Sequence, residues 1–411
     1  MTALFALALA ASGPDKLLQE LKTAPPPLPE GAVAYLLRAG AADLAFSELG
    51  AILSGPSYDP VAGGRVSASG EKLLDENARF AVELLEAYQA SRRPEFADAA
   101  RQTLDFILRD MELPGGAFRS SRKARAWGRR EVEDILGTAA EIFLFRYDVP
   151  EAPGRVRTAH GVEETALRFG RSRGEINRLL RTARRQLLDK DRVAGPGRGA
   201  AHGLVLSALA KGHQALDEPA YLKAAQSLKV GSGALFGQGL LDLYESTFDP
   251  DLLDRALKLS AKTSDDPAAA CSNLLRLAQI YDRPGLRRKA QAILAEHAKR
   301  MEREPLTALP LLAAASIAAS KPKQIVIAGD PDDPGTLEML RLVNSRFIPG
   351  RVLIVAAPGP VQQRLARHLP TLRGMVPIGG RPTAYICVDF SCELPTNDLK
   401  VAAKLLDGEK P

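Results

Sequence analysis

Apolar positions along most of this chain recur at the spacing of an α-helix. Ala81, Leu84, Leu85 and Tyr88 follow i, i+3, i+4, i+7, and after a short polar break Phe96, Ala99, Ala100, Thr103, Leu104 and Ile107 continue the stripe. Leu274, Leu277, Ala278 and Tyr281 repeat it. Rows of this kind are core-facing helix surfaces, not cofactor boxes. Further helices are predicted over residues 32–53, 130–145 and 162–190. A helix begun near Leu17 is stopped by Pro25, Pro26 and Pro27, since proline removes an amide donor and drives the residue before it toward extended backbone.

The helical stripes are organised as a repeat. Four segments share a short turn, a proline, an apolar residue two places on and an alanine six places on: Pro94, Phe96, Ala100; Pro219, Tyr221, Ala225; Pro250, Leu252, Ala256; and Pro284, Leu286, Ala290. Proline suits the first helical turn, where its missing amide has no intrahelical acceptor, so each anchor marks the second helix of a hairpin. Alanine one turn later admits a neighbouring backbone. The last three anchors lie 31 and 34 residues apart, and the 125 residues between the first two leave room for further hairpins. Stacked hairpins make either an open solenoid or a closed double ring. Irregular insertions over residues 111–126 and 191–201 favour the ring, a mainly α fold of the (α/α) toroid kind, whether complete or partial.

After Lys321 the period changes. Residues 324–329 read as a buried strand, 337–347 as a helix begun through Pro334, and 351–356 as a second strand, which together make a βαβ unit. A helix over 361–369 and a strand over 384–388 extend it. The expected division is therefore residues 1–30 as leader or linker, 31–320 as the helical domain and 321–411 as a small α/β segment. The loop holding Asp330, Asp332 and Asp333 occupies the usual ligand position of an open sheet, but three acids repel phosphate and are read as helix capping.

Composition narrows the function without naming it. Of 411 residues, 45% are hydrophobic and 25% charged, which excludes a disordered or collagenous chain. A net charge of +6 is too mild to demand a polyanion. Three cysteines exclude a disulfide scaffold, although oxidation could close the local pair Cys387 and Cys392, and no set of ligands predicts a metal. Neither a cofactor nor a membrane span is expected. The apolar run at residues 4–11, ending in Ala8-Leu9-Ala10, resembles a signal sequence but lacks a preceding Lys or Arg, so an exported and a cytoplasmic chain both stay open.

Several strings resemble the YyaL and spermatogenesis-associated thioredoxin-like proteins. These are Ser57-Tyr58-Asp59-Pro60-Val61-Ala62-Gly63-Gly64, Glu71-Lys72-Leu73-Leu74-Asp75-Glu76-Asn77-Ala78, Leu85-Glu86-Ala87-Tyr88-Gln89 and Leu243-Tyr244-Glu245-Ser246-Thr247-Phe248-Asp249-Pro250, in family order. The run from Ala384 to Cys392 looks like the family's closing strand with its paired cysteines. The resemblance implies a double ring of helices similar to six-hairpin glycosidases and sugar epimerases. It also implies an amino-terminal thioredoxin-fold domain; none is expected ahead of the ring here, and with no Cys-x-x-Cys in the sequence that domain's redox role is not carried over. Other departures touch the pocket. Ala68-Ser69-Gly70 replaces Pro-His-Phe, the stretch from Phe118 to Arg125 is basic where the family is acidic, and Ala201-His202-Gly203 replaces Trp-Asn-Gly.

Sugar chemistry needs carboxyl groups on two sides of a reacting centre. The candidates are Asp59 and Glu71 for catalysis, with Asp75, Asn77 and His202 completing the expected pocket; Glu71, Asp75 and Ala78 fall at i, i+4, i+7 of one presumed helix face. The lost histidine, acidic loop and aromatic platform point to a degenerate, non-catalytic protein that binds a carbohydrate or a protein ligand. The alternatives are an active sugar epimerase or glycosidase, and a helical scaffold or nucleic-acid-binding protein. The last draws on the basic run 119–130 around Trp127 and on residues 162–188, whose turn Gly170-Arg171-Ser172-Arg173 resembles a helix-turn-helix. A solvated bundle face explains those arginines equally well, so nucleic acid is not the expected partner.

Overall fold

In the computed structural model, which describes residues 14–113, 116–189, 202–228, 231–260, 266–321, 323–389 and 391–409, helices dominate and strands are short. The fold is mainly α, as the periodicity predicts. The apolar run at 4–11 and the insertion at 191–201 lie outside the described residues.

Helix α1 (Pro14–Thr23) ends before the three prolines. The three long helices expected over 32–53, 130–145 and 162–190 are each two. Helices α2 (Ala32–Arg38) and α3 (Ala42–Ser54) part at Gly40. Strand β1 (Glu71–Leu73), helix α4 (Leu74–Ser91), helix α5 (Pro94–Phe106) and strand β2 (Ser121–Lys123) follow. Helices α6 (Arg129–Leu136) and α7 (Ala140–Arg146) part at Gly137, and after the strand pair β3 (Tyr147–Asp148) and β4 (Arg157–Thr158), helices α8 (Val162–Arg168) and α9 (Arg173–Asp189) part at Gly170. Each of the three glycines has positive φ, at 79°, 54° and 60°, a conformation that ends an α-helix at little steric cost.

The repeated hairpins continue with α10 (His202–Leu216), α11 (Pro219–Ser227), α12 (Gly233–Thr247), α13 (Pro250–Ser260), α14 (Pro267–Ile280) and α15 (Pro284–Glu296), followed by α16 (Ala298–Arg303) and α17 (Leu309–Ala319). All four anchor prolines are the first residues of their helices. Two places before each stands a non-glycine residue of positive φ: Arg92 at 60°, Asp217 at 56°, Phe248 at 57° and Asp282 at 47°. At Glu218 and Arg283 the residue between the left-handed position and the proline is extended, held out of the helical region by the proline after it. Ala100, Ala225, Ala256 and Ala290 are fully buried, and their apolar partners Phe96, Tyr221, Leu252 and Leu286 are buried beside them. The close approach that alanine permits is visible where Cys271 Sγ of α14 lies 3.7 Å from Ala290 O of α15. Burial pushes the Cys271 thiol up to about 12, so it behaves as a small hydrophobe.

The carboxyl-terminal elements are β5 (Lys323–Ala328), α18 (Pro334–Asn344), β6 (Val352–Val355), α19 (Pro360–Ala366), β7 (Thr383–Val388), β8 (Ser391–Cys392) and α20 (Leu399–Asp407). Their sheet has the order β6-β5-β7-β8, with β5 and β6 parallel, as the βαβ reading requires, and β7 antiparallel to β5. Asp333 caps α18, accepting from the amides of Gly335 at 2.9 Å and Thr336 at 3.0 Å, which is the role read for the acidic loop. Cys387 and Cys392 are cross-strand partners joined by a disulfide.

The chain divides into two compact units. One comprises Met1–Ala45, Leu85–Arg93 and Gly203–Pro411, and the other Phe46–Leu84 and Pro94–His202. In the second, α6, α7 and α9 close a core of their own around Trp127, Phe143 and Tyr147, to which α9 contributes Ile176, Leu180, Ala183 and Leu187 at i, i+4, i+7, i+11. Among the described residues no helix is long and apolar enough to cross a membrane. The alanine rule yields a direct test. Ala290→Leu should lower unfolding stability by about 1–3 kcal/mol through overpacking at the α14–α15 crossing, whereas Lys289→Leu, on the exposed side, should change it by less than about 0.5 kcal/mol in the same urea titration.

Candidate functional site

The loop from Ser57 to Arg65 is built around one carboxylate. Asp59 Oδ1 accepts from the amides of Val61 and Ala62, both at 3.0 Å, and Oδ2 pairs with Lys72 Nζ at 2.5 Å. The ammonium also donates to Gly63 O at 2.8 Å and stands 4.4 Å from the centroid of the Phe106 ring. Lys72 and Asp59 are only 2% and 8% exposed, and burial lowers the lysine's pKa although Asp59 opposes the fall. Asn77, at the start of α4, is fully buried and clamps the other end of the loop. Its Oδ1 accepts from Arg65 N at 2.6 Å, and its Nδ2 donates to Arg65 O at 3.1 Å and Leu73 O at 2.8 Å. Gly63 and Gly64 both take positive φ, and a Cβ would lie 2.2 Å from Gln102 O in one case and 2.5 Å from Asn77 Oδ1 in the other. Glycine is obligatory there.

The remaining sequence candidates fall elsewhere. Glu71 does not begin a helix: residues 71–73 are β1, paired antiparallel with β2, and the ladder is continued by Leu74 N donating to Ser120 O at 2.9 Å. The proposed common face of Glu71, Asp75 and Ala78 is therefore absent, because strand hydrogen bonds capture the first of them. Glu71 accepts from Ser121 Oγ at 3.3 Å, Asp75 is exposed on the first turn of α4, and Ala78 is buried. His202 packs edge-on to Phe118 with ring centroids 6.0 Å apart, and its Nε2 is buried with no hydrogen-bond partner among the described residues. Among those residues no hydrogen bond or ion pair joins Glu71, Asp75 or His202 to Asp59.

Among the described residues, three of the six basic residues in the run 119–130 are ion-paired. Asp110 pairs with Arg109 and, at 2.6 Å, with Arg122; Arg125 pairs with Glu131 at 2.5 Å and Arg129 with Glu151 at 2.8 Å. Trp127, which would have to stack on a base, is 1% exposed beneath Arg125.

A second cluster, in the other unit, was not singled out from sequence. Glu86 of α4 takes a two-pronged pair from Arg38 of α2, with both N···O distances 2.9 Å, and Lys211 of α10 approaches at 3.5 Å. Asp242 and Glu245 of α12 hold the two guanidinium nitrogens of Arg276 of α14 at 2.7 and 3.0 Å. Asp242 also accepts from Ser207 Oγ at 2.5 Å, and Arg351 lies 3.9 Å from Glu245. Ser207, Lys211 and Gln214 form a polar stripe at i, i+4, i+7 on a helix otherwise buried nearly all round. Polar positions recurring at helical period inside an apolar run were the available signal. Burial alone would raise the Glu86 carboxyl, but Arg38 and Lys211 together hold it down to about 2. Burial would likewise lower Arg276, and its two carboxylates raise it instead.

Chemically these groups are spent on one another. Glu86, Glu175, Asp254 and Asp398 are each shifted downward by cations or hydrogen-bond donors, so none of these four is kept protonated near neutral pH as a glycosidase's general acid must be. Among the described residues no cluster of metal-ligating side chains occurs.

Comparison with curated proteins finds relatives named spermatogenesis-associated protein 20, the family the sequence strings resemble. The chain is 25% identical to the Rattus norvegicus protein and 24% to that of Mus musculus, with 82% of this chain and 57% of each relative covered. The Homo sapiens protein is 24% identical with 58% of its length covered. This chain thus spans little more than half the length of the curated relatives it matches. No family model matches it.

Two outcomes test the electrostatics. Lys72→Met should destabilise by about 3–5 kcal/mol, because it strands the Asp59 carboxylate without its counter-ion, measurable by chemical denaturation at pH 7. The low Glu86 pKa contributes stability fully present above the unfolded value near 4.5 and lost as pH falls toward about 2. Glu86→Gln should therefore flatten the melting temperature's decline across that window.

Proposed function

We propose that this chain, a distant homologue of spermatogenesis-associated protein 20, is a non-catalytic carbohydrate-pocket or interaction protein on helical hairpins of the (α/α) toroid type. The observation carrying this reading is that the buried carboxylates Asp59, Glu86, Asp242 and Glu245 are committed to the fold. Asp59 is closed by Lys72 and two amides, while Glu86, Asp242 and Glu245 are each matched to Arg or Lys. An acid of that kind holds a loop or helix in place, its oxygens turned to the chain's own donors and not to a leaving oxygen.

Departures from the family strings support the same reading. Ala68-Ser69-Gly70 and Ala201-His202-Gly203 remove a histidine and an aromatic platform, and the strings that persist include Asp59, Lys72, Asn77, Glu86 and Glu245, the residues that the loop and helix networks use.

The test is turnover on a panel of aldoses, N-acylated amino sugars and aryl glycosides, alongside melting temperature with each sugar. No turnover, with a sugar-dependent rise in melting temperature, is the expected result. Turnover abolished by Glu71→Gln would establish the epimerase or glycosidase alternative instead, and neither turnover nor any sugar effect would leave a helical scaffold.

A further inference from the structure

A cavity of about 190 Å³ opens where the α14–α15 turn meets the end of α17 and strand β5, all within one unit. Its wall is chiefly apolar, from Leu275, Ala278 and Ile317. Gln279 also lines it. This side chain is 9% exposed and donates through Nε2 to Gly350 O at 3.3 Å, yet its Oε1 is buried with no hydrogen-bond partner among the described residues. A buried amide oxygen left in that state costs free energy unless a donor meets it.

The rim carries charge of both signs. Arg287 is half-buried, and Asp282 and Asp389 are exposed; none of the three has a hydrogen bond or ion pair from its side chain among the described residues. This contrasts with the two clusters above, where neighbouring acids and bases are joined. Asp282 is held at the rim by its left-handed backbone in the hairpin turn.

We infer that this cavity binds a free α-amino acid with a large apolar side chain, best tryptophan. The ligand's carboxylate meets the guanidinium fork of Arg287, its ammonium meets Asp282 and Asp389, and its side chain fills the apolar wall, with the indole N–H supplying the donor that Gln279 Oε1 lacks. A neutral sugar fits poorly against such a wall, so ligand and place both differ from the reading in the previous subsection, and either can fail without the other.

Isothermal titration of the full chain with tryptophan, phenylalanine, tryptamine and indole-3-propionate tests it. Tryptophan should bind more tightly than phenylalanine. Tryptamine, lacking the carboxylate, and indole-3-propionate, lacking the ammonium, should each lose about tenfold or more. Arg287→Ala, at a partly exposed position that leaves the core intact, should weaken tryptophan about tenfold without lowering the melting temperature of the free protein, and Gln279→Met should erase the preference over phenylalanine. The proposal is overturned if no amino acid binds at millimolar concentration, if both half-charged analogues match tryptophan, or if Arg287→Ala leaves affinity unchanged.

Discussion

A charged side chain inside a helical core must find its counter-ion there, because water is not available to solvate it. That constraint organises both units of this protein. In one, Lys72 answers Asp59 and in doing so closes the Ser57–Arg65 loop onto the start of α4. In the other, Arg38 and Lys211 answer Glu86, and Arg276 answers Asp242 and Glu245, so that residues of α2, α4, α10, α12 and α14 are joined in pairs and triples. Such networks contribute less through raw energy than through specificity: a shifted helix would leave a charge uncompensated, whereas the apolar stripes alone would tolerate sliding by a turn.

The same constraint bears on function. A carboxylate that stabilises a fold by being ionised is unsuited to be a general acid, whose proton must persist at neutral pH. Asp59 shows by geometry how the fold claims a candidate acid. Its place in a glycine-rich loop beside a helix start suggests a pocket acid, yet both oxygens are occupied by the chain itself. The obligatory Gly63 and Gly64 belong to the same device, since any Cβ there would displace Gln102 or Asn77.

Much of the architecture was legible in advance. The proline, apolar residue and alanine of each repeat predicted where second helices begin and which side chains approach closely, and Pro94, Pro219, Pro250 and Pro284 are helix starts. The shift of period after Lys321 predicted the parallel pair of β5 and β6. Less legible were the helix breaks at Gly40, Gly137 and Gly170, where a single left-handed residue interrupts apolar spacing that continues on both sides. Nor could periodicity show that Glu71 joins a strand, because its partner, Lys123, is 52 positions away.

Sequence by itself therefore determined the helical class, the hairpin repeat, the α/β ending and the acids that cap helices, all consequences of interactions among residues a few positions apart. Tertiary structure alone decided which ionisable groups are paired, which carboxylates are spent on the fold, and which rim charges at the α14–α15 turn are left over. Those outcomes rest on contacts such as Arg38 with Glu86 and Asp242 with Arg276, across separations that no local pattern encodes, and on desolvation, which acts only once the chain has closed around a group.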